Sequence, residues 1–325
     1  MNIFFLNRRQ LSFIFMYIII GLIVMGFLMN WKKVERIFFG VKTGVYLEGR
    51  DVSGMLPEEI SVLVKNIAGK YNCKPINASY FPETGEIIPG KPGRVVKIAE
   101  TVNRVCLAKA GSRIHLQLGK ITPEVSEDYY VPVYHGQKNI PRVALAVNVA
   151  WGEEYLTDIL SILDSEKVKA TFFFVGTWVK AFPELVKTIA ESGHEVANHG
   201  LYHGHPVQMK RDELKRLISE NAILLWSTTG QKPINYFAPP YGEINDLIVR
   251  TAAEMGCRTI LWSVDTIDWK NPAPELILNR VLAKIEPGGI ILMHPTIGTK
   301  NVLQRLIHSL RQKNLEPGTV TSVLK

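Results

Sequence analysis

The chain has 325 residues, of which 46% are hydrophobic and 21% are charged, with a formal net charge of +8 at pH 7. This length predicts about two domains with short additional segments. The three cysteines, Cys73, Cys106 and Cys257, are too few and too scattered for a disulfide framework or a cysteine metal site, so we expect them to be small buried apolar residues.

The positive charge is unevenly distributed. Residues 141–325 hold 20 Lys and Arg against 19 Asp and Glu, whereas residues 1–140 hold 18 against 11. No basic stripe with interleaved aromatic residues is present, which argues against a nucleic-acid partner. A mild basic excess suits anionic lipid or an anionic cell-wall polymer.

An uncharged run opens the chain. Leu11 to Met29 contains 19 residues without a charge, about the length at which a helix crosses the hydrocarbon core of a bilayer. No small-residue cleavage site follows, so we predict an uncleaved transmembrane anchor over residues 11–30, behind a cytoplasmic tip over residues 1–10. Basic residues flank both sides of the run, so charge gives no orientation. The short head and the long remainder favour a single-pass cell-membrane protein with its bulk outside the cytoplasm.

Residues 31–124 are predicted to form a small α+β domain. Gly44 to Gly49 is typical of a strand entering a turn, and Leu56 precedes a helix that runs to about Ile67. The Gly44–Glu59 pattern and the Glu83–Gly90 run resemble a small peptidoglycan-binding module found beside vancomycin-resistance W-type proteins. A plain spacer domain is the alternative. Residues 125–140 are polar, carry no period and are predicted to be a linker.

From Arg142 onward, apolar runs alternate with helical patterns, which predicts a parallel sheet or a (β/α) barrel over residues 141–325. No glycine-rich phosphate loop follows the first run, so a dinucleotide-binding fold is disfavoured. The predicted strands are Val143–Val147, Ala170–Val175, Glu195–Ala197, Tyr236–Phe237, Thr259–Trp262 and Gly289–Met293.

Polar side chains follow these predicted strands where each one ends. Asn148 follows the first run, His199 and His203 follow the third, Asp265 follows the fifth and His294 follows the sixth. In a (β/α) barrel, such residues meet on the face that carries the chemistry. The four-residue spacing of His199 and His203 lets two imidazoles hold one metal ion, although a chance cluster of loop histidines is the alternative.

Five segments occur in the order of the motifs of a known family. They are Val143–Gly152, Asn198–His203, Phe237–Gly242, Asp265–Trp269 and Ile291–Pro295. In this order and spacing, they resemble the polysaccharide deacetylase family, also called the NodB-homology or chitooligosaccharide deacetylase group. The resemblance implies a distorted (β/α) barrel. Val149–Gly152 and Met293–Thr296 are most similar to membrane-anchored deacetylase-like proteins of spore-forming bacteria.

The resemblance implies a role for each matched position. In this family, two histidines and an aspartate hold zinc or a similar divalent metal, a neighbouring aspartate is the general base and a late histidine is the general acid. His199 and His203 match the metal histidines, and His294 matches the acid. Asp265 matches the aspartate that orients this acid. Tyr241 matches the residue whose backbone N–H helps to hold the oxyanion.

The first motif departs from the family pattern. Its paired aspartates are replaced by Asn148 and Val149, and the arginine before the proline-tyrosine motif is replaced by Ala238. An amide cannot accept the proton and valine offers the metal no oxygen, so the general base and the third ligand are missing. Losing a general base typically costs about 10²–10⁴ in rate. His205 and Asp268 are candidate substitute ligands.

Two functions remain open from the sequence. One is a hydrolase that removes N-acetyl groups from peptidoglycan or a related amino-sugar polymer. The other is a pseudoenzyme, a cell-wall glycan-binding or scaffold protein acting in sporulation. In that case a substrate groove with Trp151, Pro239 and Trp269 is retained, although a core role for the aromatic residues is the alternative. A serine hydrolase built on Ser263 lacks a nucleophile elbow.

Overall fold

The computed structural model describes residues 8–29, 31–81 and 83–324. The chain divides into two compact units. The first comprises the described part of residues 1–76 together with Lys91–Pro123, and the second comprises the described parts of residues 77–90 and 124–325. Residues 1–7 of the predicted cytoplasmic tip, and Asn30 at the end of the predicted anchor, lie outside the described residues.

Two helices open the first unit, α1 (Arg8–Met29) and α2 (Trp31–Phe39). Across the described residues, no helix is both long enough and apolar enough to cross a membrane. The transmembrane anchor predicted over residues 11–30 is therefore not confirmed.

The rest of the first unit packs two helices with short strands around a small apolar core. Helix α3 starts at Pro57, which has no N–H and therefore leaves no unpaired donor at this position of the first turn. The Glu59 carboxylate accepts the Leu56 N–H at 2.9 Å. The expectation of buried cysteines is wrong for Cys73, which is exposed, whereas Cys257 in the second unit is buried. The elements are β1 (Tyr46–Leu47), β2 (Arg50–Asp51), α3 (Pro57–Ala68), β5 (Gly93–Val96), α4 (Ile98–Cys106), β6 (Arg113–Ile114) and β7 (Leu118–Ile121).

An eight-stranded parallel sheet forms the centre of the second unit. Its strands follow the order β12-β11-β10-β9-β8-β14-β13, and β15 pairs with the start of β8. The predicted barrel is thus present as a curled sheet whose two end strands, β12 and β13, do not pair with each other in the described residues. The strands are β8 (Arg142–Val149), β9 (Thr171–Phe174), β10 (Glu195–Asn198), β11 (Tyr236–Phe237), β12 (Arg258–Thr259), β13 (Val264–Asp265), β14 (Ile290–Met293) and β15 (Glu316–Gly318).

Helices cover the outer face of this sheet, and a second apolar core, to which Val320 and Val323 of the last helix belong, fills its inner face. Along β8, Val147 and Val149 belong to the outer core with the helices, whereas Ala144 and Ala146 belong to the inner core. Because side chains alternate along a strand, Asn148 points to the inner side. The helices are α5 (Glu153–Ser165), α6 (Gly176–Ala181), α7 (Pro183–Glu191), α8 (Arg211–Thr229), α9 (Asp246–Glu254), α10 (Pro274–Lys284), α11 (Ile297–Gln312) and α12 (Val320–Leu324).

Residues 125–140 are a packed part of the second unit, so the predicted linker is wrong. The Val133 N–H donates to the Thr259 carbonyl at 2.9 Å, and His135 forms a β-bridge with Gly289. The predicted domain boundary also differs, because the hairpin of β3 (Ser79–Phe81) and β4 (Glu86–Ile88) belongs to the second unit. Neither feature could be predicted from these polar segments, because both depend on backbone pairing and neither produces a hydrophobic periodicity.

Candidate functional site

A cavity of about 460 Å³ lies where the carboxyl ends of the parallel strands meet. The structure brings together here every residue that the family resemblance matched to a catalytic or metal-binding histidine, aspartate or tyrosine, together with Asn148 and two of the predicted groove residues. Those residues are Asn148, Trp151, His199, His203, Tyr241, Asp265, Trp269 and His294. Their convergence confirms the geometric expectation, whereas their chemical roles stay predictions. The candidate substitute ligands His205 and Asp268 do not line the cavity.

The buried pair of His294 and Asp268 forms one wall of the site. His294 Nδ1 donates to Asp268 Oδ1 at 2.8 Å, and the His294 backbone N–H donates to Oδ2 at 2.6 Å. The Thr299 hydroxyl also donates to Oδ2. Burial raises the pKa of the Asp268 carboxyl, but the hydrogen bonds from His294 and Thr299 outweigh it and hold that pKa below its usual range. The network fixes the orientation of the imidazole, and the second ring nitrogen, Nε2, takes no part in it.

The prediction that Asp265 orients His294 is wrong. Asp265 Oδ1 accepts the Ile267 backbone N–H at 2.8 Å, so this carboxylate shapes its own turn. Asp268 begins a 3₁₀ turn, Asp268–Lys270, and this turn directs its side chain inward, where no part of it is exposed. Both aspartates belong to one motif, and sequence alone does not tell which of them faces inward.

His199 and His203 lie beside each other, with ring centroids 5.2 Å apart. His199 Nδ1 donates to the Ala238 carbonyl at 2.7 Å, because a carbonyl oxygen can only accept, and this leaves His199 Nε2 without the proton. Burial lowers the pKa of His199 to about 3. Burial, together with His294 and His205, also lowers the pKa of His203. Both imidazoles are therefore neutral at pH 7.

The residues present do not fit a metal site with three protein ligands. Among the residues that the structure describes, no group of three His, Cys, Asp or Glu side chains could hold a metal ion. Val149, the predicted third position, is fully buried in the outer core and points away from the cavity. Of the two substitutes, Asp268 is occupied by His294, and His205 pairs with Glu243 at 2.8 Å.

A strained loop places Tyr241 at the cavity. Its backbone has φ 59° and ψ 3°, a left-handed conformation that costs a non-glycine residue free energy. The Tyr241 hydroxyl donates to the His203 carbonyl at 3.4 Å, and its ring stacks on His205 with an interplanar angle of 8°. The next position requires glycine, Gly242, because a Cβ there would lie 2.4 Å from the Trp262 ring.

Exposed indole rings border the cavity. Trp151 is 43% exposed and stacks on the His294 imidazole, with centroids 5.2 Å apart and an interplanar angle of 15°. Trp269 is 52% exposed. Trp262 also lines the cavity and was missed, because it ends an apolar run and was predicted as a strand residue. The groove prediction for Pro239 is wrong, since this residue is buried and its carbonyl accepts the Gly242 N–H.

Comparison with known proteins supplies the family context. A sequence model described as polysaccharide deacetylase matches residues 135–260. The chain is 37% identical to YlxY of Bacillus subtilis (strain 168) over 259 residues. This alignment covers 79% of this chain and 81% of YlxY. The chain is also 33% identical over 212 residues to a peptidoglycan-N-acetylglucosamine deacetylase of Bacillus cereus (strain ATCC 14579). This alignment covers 64% of this chain and 77% of the relative.

A solved structure extends the similarity to three dimensions. Wild-type BA3943 from Bacillus anthracis, described as a CE4 family pseudoenzyme, is 35% identical and matches with a TM-score of 0.60. The match covers 82% of this chain and 95% of that chain. A mutant of BA3943 is described as having restored enzymatic activity, and it matches with the same TM-score.

Proposed function

Because this chain belongs to the polysaccharide deacetylase family, we propose that it binds amino-sugar segments of peptidoglycan without hydrolysing them. One observation carries this proposal. The cavity retains its indole rings and its His294–Asp268 pair, but it has an amide at Asn148 and a buried valine at position 149. The parts that hold a sugar are present, whereas the base and the third metal ligand are not.

The size and the lining of the cavity support sugar binding. A volume of about 460 Å³ lies within the usual range of small-molecule sites. Trp151 and Trp269 offer flat apolar surfaces to the faces of sugar rings, and the Asn148 amide offers both donors and acceptors. The Bacillus cereus relative, named for peptidoglycan N-acetylglucosamine, supports this class of ligand.

The absence of a carboxylate at Asn148 supports the loss of catalysis. The lone pair of an amide nitrogen is delocalised into its carbonyl and does not accept a proton, so a water in the cavity has no base at this position. The similarity to BA3943, which is described as a pseudoenzyme, supports the same conclusion for this chain. The mutant of BA3943 that is described as having restored enzymatic activity supports the idea that substitution can return activity to such a protein.

Slow deacetylation is the second candidate function. The observation that favours it is the buried His294–Asp268 pair, because two hydrogen bonds to Asp268 orient an imidazole that could act as a general acid. This candidate predicts release of acetate from peptidoglycan and a rate that falls when His294 is replaced. The binding proposal predicts no acetate release by the natural protein, whether or not zinc is supplied.

Saccharide binding tests the proposal directly. We expect Trp151→Ala in the full chain to weaken binding of N-acetylglucosamine oligomers about fivefold, because an aromatic platform contributes about 1 kcal/mol. Isothermal titration measures this change. Trp226 is the matched control, since it is 57% exposed on α8 and does not line the cavity. Equal binding by the Trp151→Ala and Trp226→Ala variants would contradict the proposal.

We also propose that the protein works outside the cytoplasm at the cell membrane. The uncharged run from Leu11 to Met29 and the extracytoplasmic position of peptidoglycan support this location. Fractionation of cells that make the full chain, compared with a chain that starts at Lys32, tests it. The proposal that the protein acts in sporulation rests only on the resemblance of Val149–Gly152 and Met293–Thr296. Measuring whether the protein is expressed during sporulation tests this proposal.

A further inference from the structure

A second concave site, the tyrosine groove, lies in the second unit and has a volume of about 300 Å³. Three tyrosines from separate parts of the chain line it. They are Tyr80 on β3, Tyr130 at the end of a 3₁₀ turn, and Tyr134 in the packed segment that was predicted to be a linker. The start of α9 supplies polar groups, Asn245 and Asp246. Aromatic rings that are gathered in one concavity, rather than scattered over a surface, mark a place where a ligand binds.

The tyrosine groove lies next to the candidate-site cavity, beyond the carboxyl ends of β11 and β12. Gly242 lines the cavity and Ile244 lines the groove, so their Cα atoms are at most about 7 Å apart. A second connection runs through Leu261, whose N–H donates at 2.7 Å to the carbonyl of the residue before Tyr134. The next residue, Trp262, lines the cavity. The groove is therefore within reach of a saccharide that extends beyond the cavity.

Contacts within the second unit fix two of the three rings. The Arg250 guanidinium carbon lies 3.7 Å from the centre of the Tyr80 ring and covers one face of it. Arg250 Nη2 in turn donates to Asp246 Oδ2 at 2.9 Å. The Tyr130 hydroxyl donates to the Ala78 carbonyl at 3.3 Å. Both rings are thus positioned before a ligand arrives, which lowers the entropic cost of binding.

The third ring is exposed on a fixed backbone. The Val133 N–H donates to the Thr259 carbonyl at 2.9 Å, and the Val133 carbonyl accepts the Leu261 N–H, yet the Tyr134 side chain is 49% exposed. Among the described residues, the Tyr134 hydroxyl has no hydrogen-bond partner. Ile87, which lines the same groove, is 38% exposed. Burial of these apolar surfaces would stabilise the fold, so their exposure leaves them available to a ligand.

The charge of the lining favours a neutral ligand. Among the described residues that line the groove, Arg250 is the only cation and Asp246 the only carboxylate, and they pair with each other. A single-stranded nucleic acid needs unpaired positive charge beside the rings on which its bases stack. A bilayer surface needs Lys or Arg around the apolar side chains. A neutral sugar needs neither, because it offers an apolar face to a tyrosine ring and hydroxyl groups to the Asn245 amide.

We propose that the tyrosine groove is a second saccharide subsite, which holds a sugar of the same neutral amino-sugar chain whose neighbouring segment lies in the cavity. This inference rests on the proposed function and extends it from a single sugar site to a site for a polymer. The cavity alone sets the affinity for a short oligomer, whereas the cavity and the groove together set the affinity for a long one.

Titration of the full chain with the dimer and the hexamer of N-acetylglucosamine tests the inference. We expect the natural protein to bind the hexamer at least about fivefold more tightly than the dimer, since one aromatic contact contributes about this factor. This comparison uses no variant, so it does not depend on how a variant folds. Equal affinities for the two oligomers overturn the groove proposal and leave the proposed function of the cavity standing.

A substitution in the groove separates its contribution from the greater number of binding registers that a longer oligomer offers. Tyr134→Ala is expected to weaken hexamer binding about fivefold and to leave dimer binding unchanged, whereas Tyr134→Phe keeps the ring and retains most of the affinity. Tyr71→Ala is the matched control, because Tyr71 is 36% exposed and lies in the first unit. Equal hexamer binding by the Tyr134→Ala and Tyr71→Ala variants overturns the proposal, as does an equal loss for both oligomers in Tyr134→Ala.

Trp151→Ala distinguishes the groove from the cavity, because it is expected to weaken binding of the dimer and of the hexamer alike. Absence of binding by either oligomer overturns the proposed function and the groove proposal together. A single-stranded oligonucleotide that binds more tightly than the hexamer, and that loses affinity in Tyr134→Ala, overturns the choice of a saccharide and so overturns the groove proposal alone.

Discussion

Burial keeps several imidazoles of the second unit uncharged. His194 is buried, its Nδ1 accepts the Ala170 backbone N–H at 3.1 Å, and burial lowers its pKa from 6.5 to about 4. The folded protein therefore binds this proton only near pH 4, whereas an unfolded chain binds it near pH 6.5. Between these two values the unfolded state holds more protons, and stability falls as the pH falls.

We therefore expect the free energy of unfolding to drop by about 2 kcal/mol from this group as the pH is lowered from about 6.5 to about 4. Urea unfolding at a series of pH values measures the slope. His194→Gln should flatten it, and His115→Gln should leave it unchanged because the His115 side chain is 81% exposed. An unaltered slope in the His194 variant would contradict this account.

At the level of single residues, the sequence located the site better than it assigned roles. Asn148, His199, His203 and His294 converge because parallel strands end at the same edge, which is a property of the fold. Asp265 and Asp268 differ only in where a short turn directs them, and no residue pattern carries that information. Side-chain direction, rather than residue type, decided which carboxylate meets His294.

Among the elements, the turn from β8 into α5 determines how the first and last motifs meet. Gly152 has φ 83°, and a Cβ built on it would lie 1.9 Å from the Pro295 carbonyl oxygen. The lack of a side chain therefore allows the Trp151 loop to approach the loop that follows β14. This approach places the indole on the His294 ring.

Gly152→Ala is expected to cost at least about 2 kcal/mol of stability, because it combines a left-handed residue with a steric clash. It should also weaken saccharide binding by displacing Trp151. Gly256→Ala is the matched control, since Gly256 has φ 74° with nothing within 4 Å of a built Cβ, and it should cost about 1 kcal/mol. Denaturant melts and saccharide titration compare the two variants, and equal losses would exclude a role for the close approach.

The parallel strands were predictable at this scale because their apolar runs stand out from the helical pattern. Tyr236–Phe237 was predicted with its observed bounds, and β8 extends the predicted Val143–Val147 by one residue before it and two after it. Strand β12 is shorter than the predicted Thr259–Trp262, and Trp262 lies beyond its end, where its ring lines the cavity. The β3–β4 hairpin and the packed residues 125–140 carry no periodic signal, so the sequence missed their place in the fold.

For the molecule as a whole, the hairpin stabilises a unit that lies mostly after it in the chain. Asn77 Oδ1 accepts the backbone N–H groups of Glu124 and Val125 at 2.9 and 3.2 Å, and the Arg250 guanidinium lies 3.7 Å from the centre of the Tyr80 ring. These contacts belong to the second unit although Asn77 and Tyr80 precede Lys91 in sequence.

We expect Asn77→Ala to destabilise the second unit by about 1 kcal/mol and to leave the first unit unchanged. Thiol labelling distinguishes the units, because Cys257 is buried in the second and Cys106 is half-buried in the first. Labelling of Cys257 should become about fivefold faster under mild denaturant. Asn103→Ala, at an exposed position of α4, is the control, and acceleration of Cys106 instead would contradict the assignment of the hairpin.

The chain passes between its two units three times, after Ile76, Gly90 and Pro123. No single break in the gene therefore yields both units intact. A truncation at Glu124 removes the β3–β4 hairpin, and an exchange of the first unit by recombination needs at least two crossover points to spare it. We therefore expect the two units to occur together in related proteins, rather than each unit being found separately in other domain arrangements.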